Sequence, residues 1–320
     1  MFKNKLVRVS VFCLLSVFIS HTGHAQTGKT IKTIVVDAGH GGHDAGATGQ
    51  YENSLRSKEK DVTLAISLKL VAELKKQLPK VNIVPTRTTD IYQDPREKAR
   101  IANENKGDLF LCIHADSGPL KTGRRQIGTH TVTRYKISYT GKGKKKKKKS
   151  TPYQVVEPVY EYFKLPLSIK GTTVYLFAAH KTSDKLKAIM KDTDIAEFDI
   201  ETDSDSTYSS FDFNTPEGRA LAQIYAQRYQ LKSDKIATMV NDEIEQTGRP
   251  ALGVNQRQKG IWVLQATNMP AILIETGYIN NPEDERYINS EAGQQELAEA
   301  IARAVVHYKT QLETPQTGTK

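Results

Sequence analysis

The segment TIVVDAGHGGHDAGATG, residues 33–49, runs an apolar stretch straight into residues that can hold a metal. Ile34, Val35 and Val36 stop at Asp37, and Gly39, His40, Gly41, Gly42, His43 and Asp44 follow at once. Two other apolar runs end the same way. Ile113 leads into His114, Ala115 and Asp116, and Ile272–Leu273–Ile274 leads into Glu275, Thr276 and Gly277. In open α/β sheets ligands gather beyond the carboxyl ends of strands, so His40, His114 and Glu275 are candidates to converge. Metal-assisted hydrolysis needs three His/Asp/Glu ligands and an open position for water. It also needs a carboxylate off the metal to move the water's proton. His40 and His114 supply two ligands. Spacing alone leaves the carboxylates open among Asp37, Asp44, Glu52, Glu59, Asp116 and Glu275. A lone histidine is mostly a structural residue; two at strand ends, one of them amid glycines, strengthen the site reading over a turn that happens to contain histidines.

The elements that must position these residues alternate along the first part of the chain. Residues 31–36 read as a short buried strand and 61–78 as a helix, with Val62, Ala65, Leu68, Leu70, Val71 and Leu74 near helical spacing before Pro79. A strand at 82–86, a helix at 95–105 and a strand at 108–115 follow. From 118 to 170 the pattern changes to an inserted β-hairpin, with arms at 129–139 and 152–162 and a lysine-rich tip between them. Residues 172–178 resume a strand, 183–190 read as a helix, and the acidic stretch 192–214 reads as a loop, or as a short helix followed by a mobile loop. Helices are expected at 217–228 and 233–246, strands at 262–265 and 271–275, a closing helix at 294–311 and a polar tail at 313–320. The pattern predicts an α/β fold: a mixed, mostly parallel twisted sheet flanked by helices, with an inserted hairpin and an inserted helical or acidic segment. One catalytic domain at 28–312 is expected, without internal repeats.

Composition sets the setting. The 320 residues are 38% hydrophobic and 26% charged, as in a globular chain. Lys3, Lys5 and Arg8 precede an apolar run at 9–20, and Gly23–His24–Ala25 offer small residues before Gln26. That layout is a secretory signal at 1–25, its run too short to span a bilayer. The expected address is the periplasm, with no transmembrane segment in the mature protein. Cys13 leaves with the signal, so Cys112 has no partner and reads as a small core residue. Lys142 and Lys144–Lys149 supply seven of the charges behind a net +10. The remainder is only mildly basic, which argues against a nucleic-acid face.

The segments IVVDAGHGGHDAGATG, EKDVTLAISLKL, TRTTD, DLFLCIHADS and PAILIETGYINNPEDE occur in that order. The set resembles the zinc-dependent N-acetylmuramoyl-L-alanine amidases, the family that separates daughter cells in bacteria, from about residue 31 to 311 apart from the insertion. The resemblance implies one Zn2+ held by His40, Glu59 and His114, with Glu275 as the catalytic carboxylate. It implies hydrolysis of the bond between N-acetylmuramic acid and L-alanine in peptidoglycan. Gly39, Gly41 and Gly42 then let the backbone turn sharply so that His40 reaches the metal. His43 matches no ligand position, and Asp37 and Asp116 read as supporting or turn residues.

The chain departs from that family at two places. The insertion at 118–170 carries the lysine tip, which reads either as a solvated cap against aggregation or as a docking point for an anionic partner. At 191–230 the resemblance implies a regulatory segment whose carboxylate blocks the zinc until an activator protein displaces it. Glu197 and Glu201 are the candidates, with Asp194 behind them, and deleting 191–215 is expected to raise basal activity. The competing readings are a zinc hydrolase of another wall bond (a peptidase or deacetylase) and an inactive wall-binding module.

Overall fold

β1 (Thr33–Ala38) is buried along its whole length, and its neighbours explain why. In the computed structural model, which describes residues 30–141, 143, 146–178, 182–191, 215–257 and 261–314, it lies inside a six-stranded sheet. The order is β2 (Asn82–Pro85), β1, β3 (Leu109–Asp116), β8 (Ala271–Tyr278), β6 (Thr172–Phe177), β7 (Ala251–Arg257). β2, β1, β3 and β8 are mutually parallel. β6 runs antiparallel to β8, and β7 parallel to β6. The expected mixed, mostly parallel sheet is therefore present. The central strands read as unbroken apolar runs because both faces are covered.

Alternate residues feed two cores. Ile34, Val36, Leu111, Ile113, Ile272 and Ile274 pack under α1 (Glu59–Gln77), α4 (Pro216–Gln246) and α7 (Glu291–Glu313). Val35, Phe110, Cys112 and Leu273 face the other way, onto α2 (Pro95–Glu104) and α5 (Trp262–Ala266). α3 (Thr182–Lys191) packs on the first half of α4 through Ile189, Ala222, Tyr225 and Tyr229. Among the described residues no helix is long and apolar enough to cross a membrane. The signal, the acidic stretch and the end of the tail lie outside the described residues.

Four sequence expectations change. Residues 262–265 are helical, not a strand. A run that short fits either period, and here Val263 and Leu264 cover the sheet instead of joining it. The two helices expected at 217–228 and 233–246 are one. No breaker separates them, and Tyr229 and Ser233 continue the buried stripe of Ala222, Tyr225 and Ala226 into Ile236. β7 was not foreseen, because its half-exposed ALGVNQR gives no clean alternation and Gly253 sits at φ +86°. α6 (Pro282–Ile288) was not foreseen either; Asn281 caps it by accepting from the amides of Glu283 and Asp284.

The hairpin is present and longer than expected. β4 (Thr122–Thr140) and β5 (Lys147–Lys164) form a separate two-stranded sheet with a bulge between Gln126 and Gly128.

Candidate metal centre

Because β1, β3 and β8 are parallel neighbours, their carboxyl ends share one edge of the sheet. β1 delivers the turn that carries His40, β3 delivers His114, and β8 sets Glu275 in register with His114. Glu59 arrives differently, as the first residue of α1. Potential ligand atoms of His40, Glu59 and His114 all lie within 4.8 Å of one another. Glu59 Oε2 is 3.1 Å from His40 Nε2, and Glu59 Oε1 is 2.9 Å from His114 Nδ1.

The backbone is shaped to make this meeting. His40 sits at φ +58°, a left-handed conformation that an L side chain rarely adopts. Paired hydrogen bonds between Gly41 and Asp44 close its turn, at 3.0 and 3.1 Å. Below it, Arg87 Nε donates to Ala38 O and Arg87 Nη2 donates to Gly39 O and Lys60 O. Lys98 Nζ also donates to Ala38 O, at 2.7 Å. Gly39 is required by close approach: a Cβ there would lie 2.6 Å from the His114 ring. Gly46, at φ +64°, leaves room in the same way for Glu59 and His40.

His40 and Glu59 are each oriented by a partner outside the donor set. His40 Nδ1 lies 2.8 Å from Asp44 Oδ2, an arrangement that fixes the ring and leaves Nε2 facing the cluster. Glu59 accepts from the amides of Ala47 and Ala115, at 2.8 and 3.0 Å. Burial would push the Glu59 carboxyl up, but hydrogen bonds from His114 and His40 and their charges outweigh it and hold it well below the usual range. Burial would likewise lower His40, yet its bonds to Glu59 and Asp44 lift it to about 9. Two imidazoles and a carboxylate facing one point hold protons where a cation would sit.

Glu275 is buried and differs from Glu59 in its satisfaction. Its Oε1 pairs with Arg257 Nη1 at 2.8 Å, while its Oε2 is buried without a hydrogen-bond partner among the described residues. Burial pushes this carboxyl up to about 7; Asp116 and Glu59 add to the rise, and His114 and Arg257 oppose it.

A second set, Asp37, Cys112 and His114, also brings ligand-type atoms together. Its carboxylate is already served: Lys98 Nζ lies 3.0 Å away, and Thr86 Oγ1 and Cys112 Sγ donate to it. A buried ammonium against Asp37 repels a divalent cation, and burial raises the Cys112 thiol well above its ordinary value. The set including His40 and Glu59 is therefore the better site, and Cys112 is the core residue expected. His43 stacks on Tyr92, centroids 4.0 Å apart, outside the cluster.

All four residues expected on resemblance thus lie at one edge of the sheet, three in mutual contact. Glu197 and Glu201 lie outside the described residues. Arg257, Arg87, Lys98 and Asp44 were not singled out for these contacts. Asp44 had a signal, four residues after His40, and Arg87 sits in the quoted TRTTD segment. Arg257 and Lys98 had none, since only the fold brings β7 and α2 to this edge.

An open, mostly parallel α/β sheet with two imidazoles and two carboxylates beyond its central strands is a frame for binding a metal or ligand at the strand ends. Residues 34–307 match the family described as N-acetylmuramoyl-L-alanine amidase (Amidase_3), and the chain belongs to that family. AmiC of Escherichia coli O6:H1 is 28% identical over 283 residues, covering 86% of this chain and 52% of that protein. The chain thus spans about half the length of that relative. AmiA of Salmonella typhimurium LT2 is 26% identical over 294 residues, covering 89% of this chain and 80% of its own. The crystal structure of an N-acetylmuramoyl-L-alanine amidase from Clostridium difficile 630 superposes with a TM-score of 0.53 at 21% identity. The match covers 91% of this chain and all of that one, and it establishes the shared fold.

Proposed function

We propose that this protein is a zinc-dependent amidase that hydrolyses the bond between the lactyl group of N-acetylmuramic acid and L-alanine in peptidoglycan. One observation carries the reading: the donor atoms of His40, Glu59 and His114 lie within 4.8 Å of one another, with Glu275 in register beside His114. Two imidazoles and one carboxylate suit zinc. His40 Nε2, His114 Nδ1 and a Glu59 oxygen would hold it, with the imidazole protons displaced. Bound there, zinc would polarise the scissile carbonyl and acidify a water.

The chain's own residues supply the rest. Glu275 Oε2, buried and without a partner among the described residues, takes the proton of the attacking water. As the C–N bond breaks, Glu275 returns that proton to the leaving nitrogen of L-alanine. Arg257 holds Oε1 and so aims Oε2. Asp44, at the far nitrogen, keeps the His40 ring from turning away.

The work takes place in the cell wall, in a secreted, periplasmic setting suited to the signal-like 1–25. An acidic carboxylate from the segment between α3 and α4, Glu197 or Glu201, blocks the open position until an activator protein displaces it. Deleting 192–214, which spares the Thr215 cap on α4, is then expected to raise basal activity in a folded protein. Unchanged or lower activity removes the regulatory half of the reading.

Digestion of purified sacculi, with products identified by mass spectrometry, tests the activity. Free stem peptides beginning at L-alanine, lost with chelator and in Glu275→Gln, are expected. Acetate release would mean a deacetylase, and cleavage within the stem a peptidase. No release from the zinc-loaded 192–214 deletion would leave a binding module.

A further inference from the structure

Among the described residues the β4–β5 hairpin contributes nothing to the candidate metal centre, yet its base is built into the domain. Glu52 N donates to Lys164 O, Arg125 pairs with Glu52 at 2.7 Å, and Leu167 N donates to Asn280 O. Nineteen residues of β4 span about 60 Å at about 3.3 Å each. A two-stranded ribbon of that length is marginal in water without something to cover it.

Beyond the bulge the pairing fixes which side chains share a face. Tyr135, Ile137 and Tyr139 stand opposite Pro152, Ser150 and Lys148, and Thr131 stands opposite Val156. All therefore line one face. Tyr135 is 63% exposed, Ile137 51%, Tyr139 65% and Val156 64%. The other face at the same level is polar: Lys136 opposite Thr151, Ser138 opposite Lys149, Thr140 opposite Lys147. The apolar row ends at the exposed Lys146, Lys147, Lys148 and Lys149. A lysine cap accounts for solubility, but it leaves the Tyr–Ile–Tyr row uncovered.

We infer that the distal hairpin is a docking surface for an anionic lipid membrane. Charge complementarity selects the occupant. Clustered lysines draw toward anionic head groups, tyrosines favour the water–hydrocarbon boundary, and lysine stems reach past an apolar face to that boundary. Ile137 and Val156 fit the acyl margin. The carboxylates of a wall polymer would match the lysines and offer these two aliphatic groups nothing.

Sedimentation with vesicles tests this, using the chain from Gln26 onward, since the apolar run at 9–20 would partition into lipid by itself. Binding is expected to vesicles of phosphatidylcholine with phosphatidylglycerol, weakening with salt, and to be lost on phosphatidylcholine alone. Replacing Lys146, Lys147, Lys148 and Lys149 together by Gln should weaken it by about 100-fold or more. The variant carrying Tyr135→Ser, Ile137→Ser and Tyr139→Ser should keep a residual, wholly salt-sensitive binding. In Ile137→Trp, tryptophan emission should shift to the blue with anionic vesicles. Circular dichroism and sacculus digestion should be unchanged in every variant, which shows that each is folded. Equal binding to both vesicle types, no binding, or wild-type binding by both multiple variants would overturn the inference. So would sacculus binding that depends on these residues while vesicle binding is absent.

Discussion

Replacing Gly39 by Ala should uncouple metal affinity from folding. The new Cβ would lie 2.6, 2.7 and 2.8 Å from Cε1, Nε2 and Nδ1 of His114, where ordinary contact begins at 3.4 Å. The difference between 3.4 and 2.6 Å asks the ring to retreat by about 0.8 Å. β3 cannot move to make room, because Gly39 N donates to Ile113 O at 2.9 Å and both strands are paired on two sides. The His114 side chain turns instead. Without metal this costs little, since the ring is partly exposed and can bond to water, and Glu59 keeps its bonds from His40 and from the amides of Ala47 and Ala115. Zinc sites tolerate only about 0.2 Å around a Zn–N distance of about 2.0–2.1 Å, so binding must force the ring back. Overpacking of this kind costs about 1–3 kcal/mol, which as binding energy is about 5- to 150-fold in affinity. Zinc affinity measured by chelator competition should fall in that range, while thermal unfolding of the metal-free protein moves by only a few degrees. Gly128→Ala, where nothing lies within 4 Å, is the control. Wild-type zinc affinity in folded Gly39→Ala would refute the assignment of His114 as a ligand.

The other expectations concern residues around that centre. Glu285 is buried and accepts from Tyr51 Oη, Leu55 N, Ser57 N and Ser57 Oγ, so Glu285→Ala strands four donors beneath the loop that delivers Glu59. Its cost should be about 3 kcal/mol or more in urea unfolding, with zinc affinity falling too; a loss under about 1 kcal/mol would count against this hub. Arg257→Ala removes the cation beside Glu275, so its carboxyl rises further and the acidic limb of kcat/KM should move to higher pH, with Arg257→Lys nearer wild type. An unmoved limb would mean that another group sets it. Lys185 is fully buried among Leu264 O, Thr267 O and Met269 O, and burial pulls its ammonium down from 10.5 to about 7. Between those values the unfolded chain binds more protons. Wild-type stability should therefore rise with pH relative to Lys185→Met, at no more than about 1.4 kcal/mol per pH unit. The carbonyl oxygens favour the charged form and moderate the slope; a pH-independent difference between the two proteins would refute the shift.

Local pattern along the chain accounts for some of these features. Unbroken apolar runs at β1, β3 and β8 required strands covered on both faces, and the polar residues where they stop marked the site edge. Gly39 and the histidines after β1 mark a candidate site through residue type alone, whatever the topology. The choice of Glu59 over five other carboxylates came from motif resemblance, because spacing carries no distance between a helix start and two strand ends. The tertiary structure alone decided the rest. The run at 262–265 became helix because β6 and β7 occupy the places next to β8, leaving it to cover a face. Residues 217–246 became one helix because a continuous buried stripe has nothing to break it. Asp37, Lys98 and Cys112 lie far apart in sequence, and only packing turns them into a satisfied buried group that a metal would not enter. Arg257 reaches Glu275 because β6 and β7 close the sheet on that side. Residue types and periods propose where chemistry can occur; which charge faces which is set by long-range contacts, and the pKa of a group follows from those neighbours and from burial.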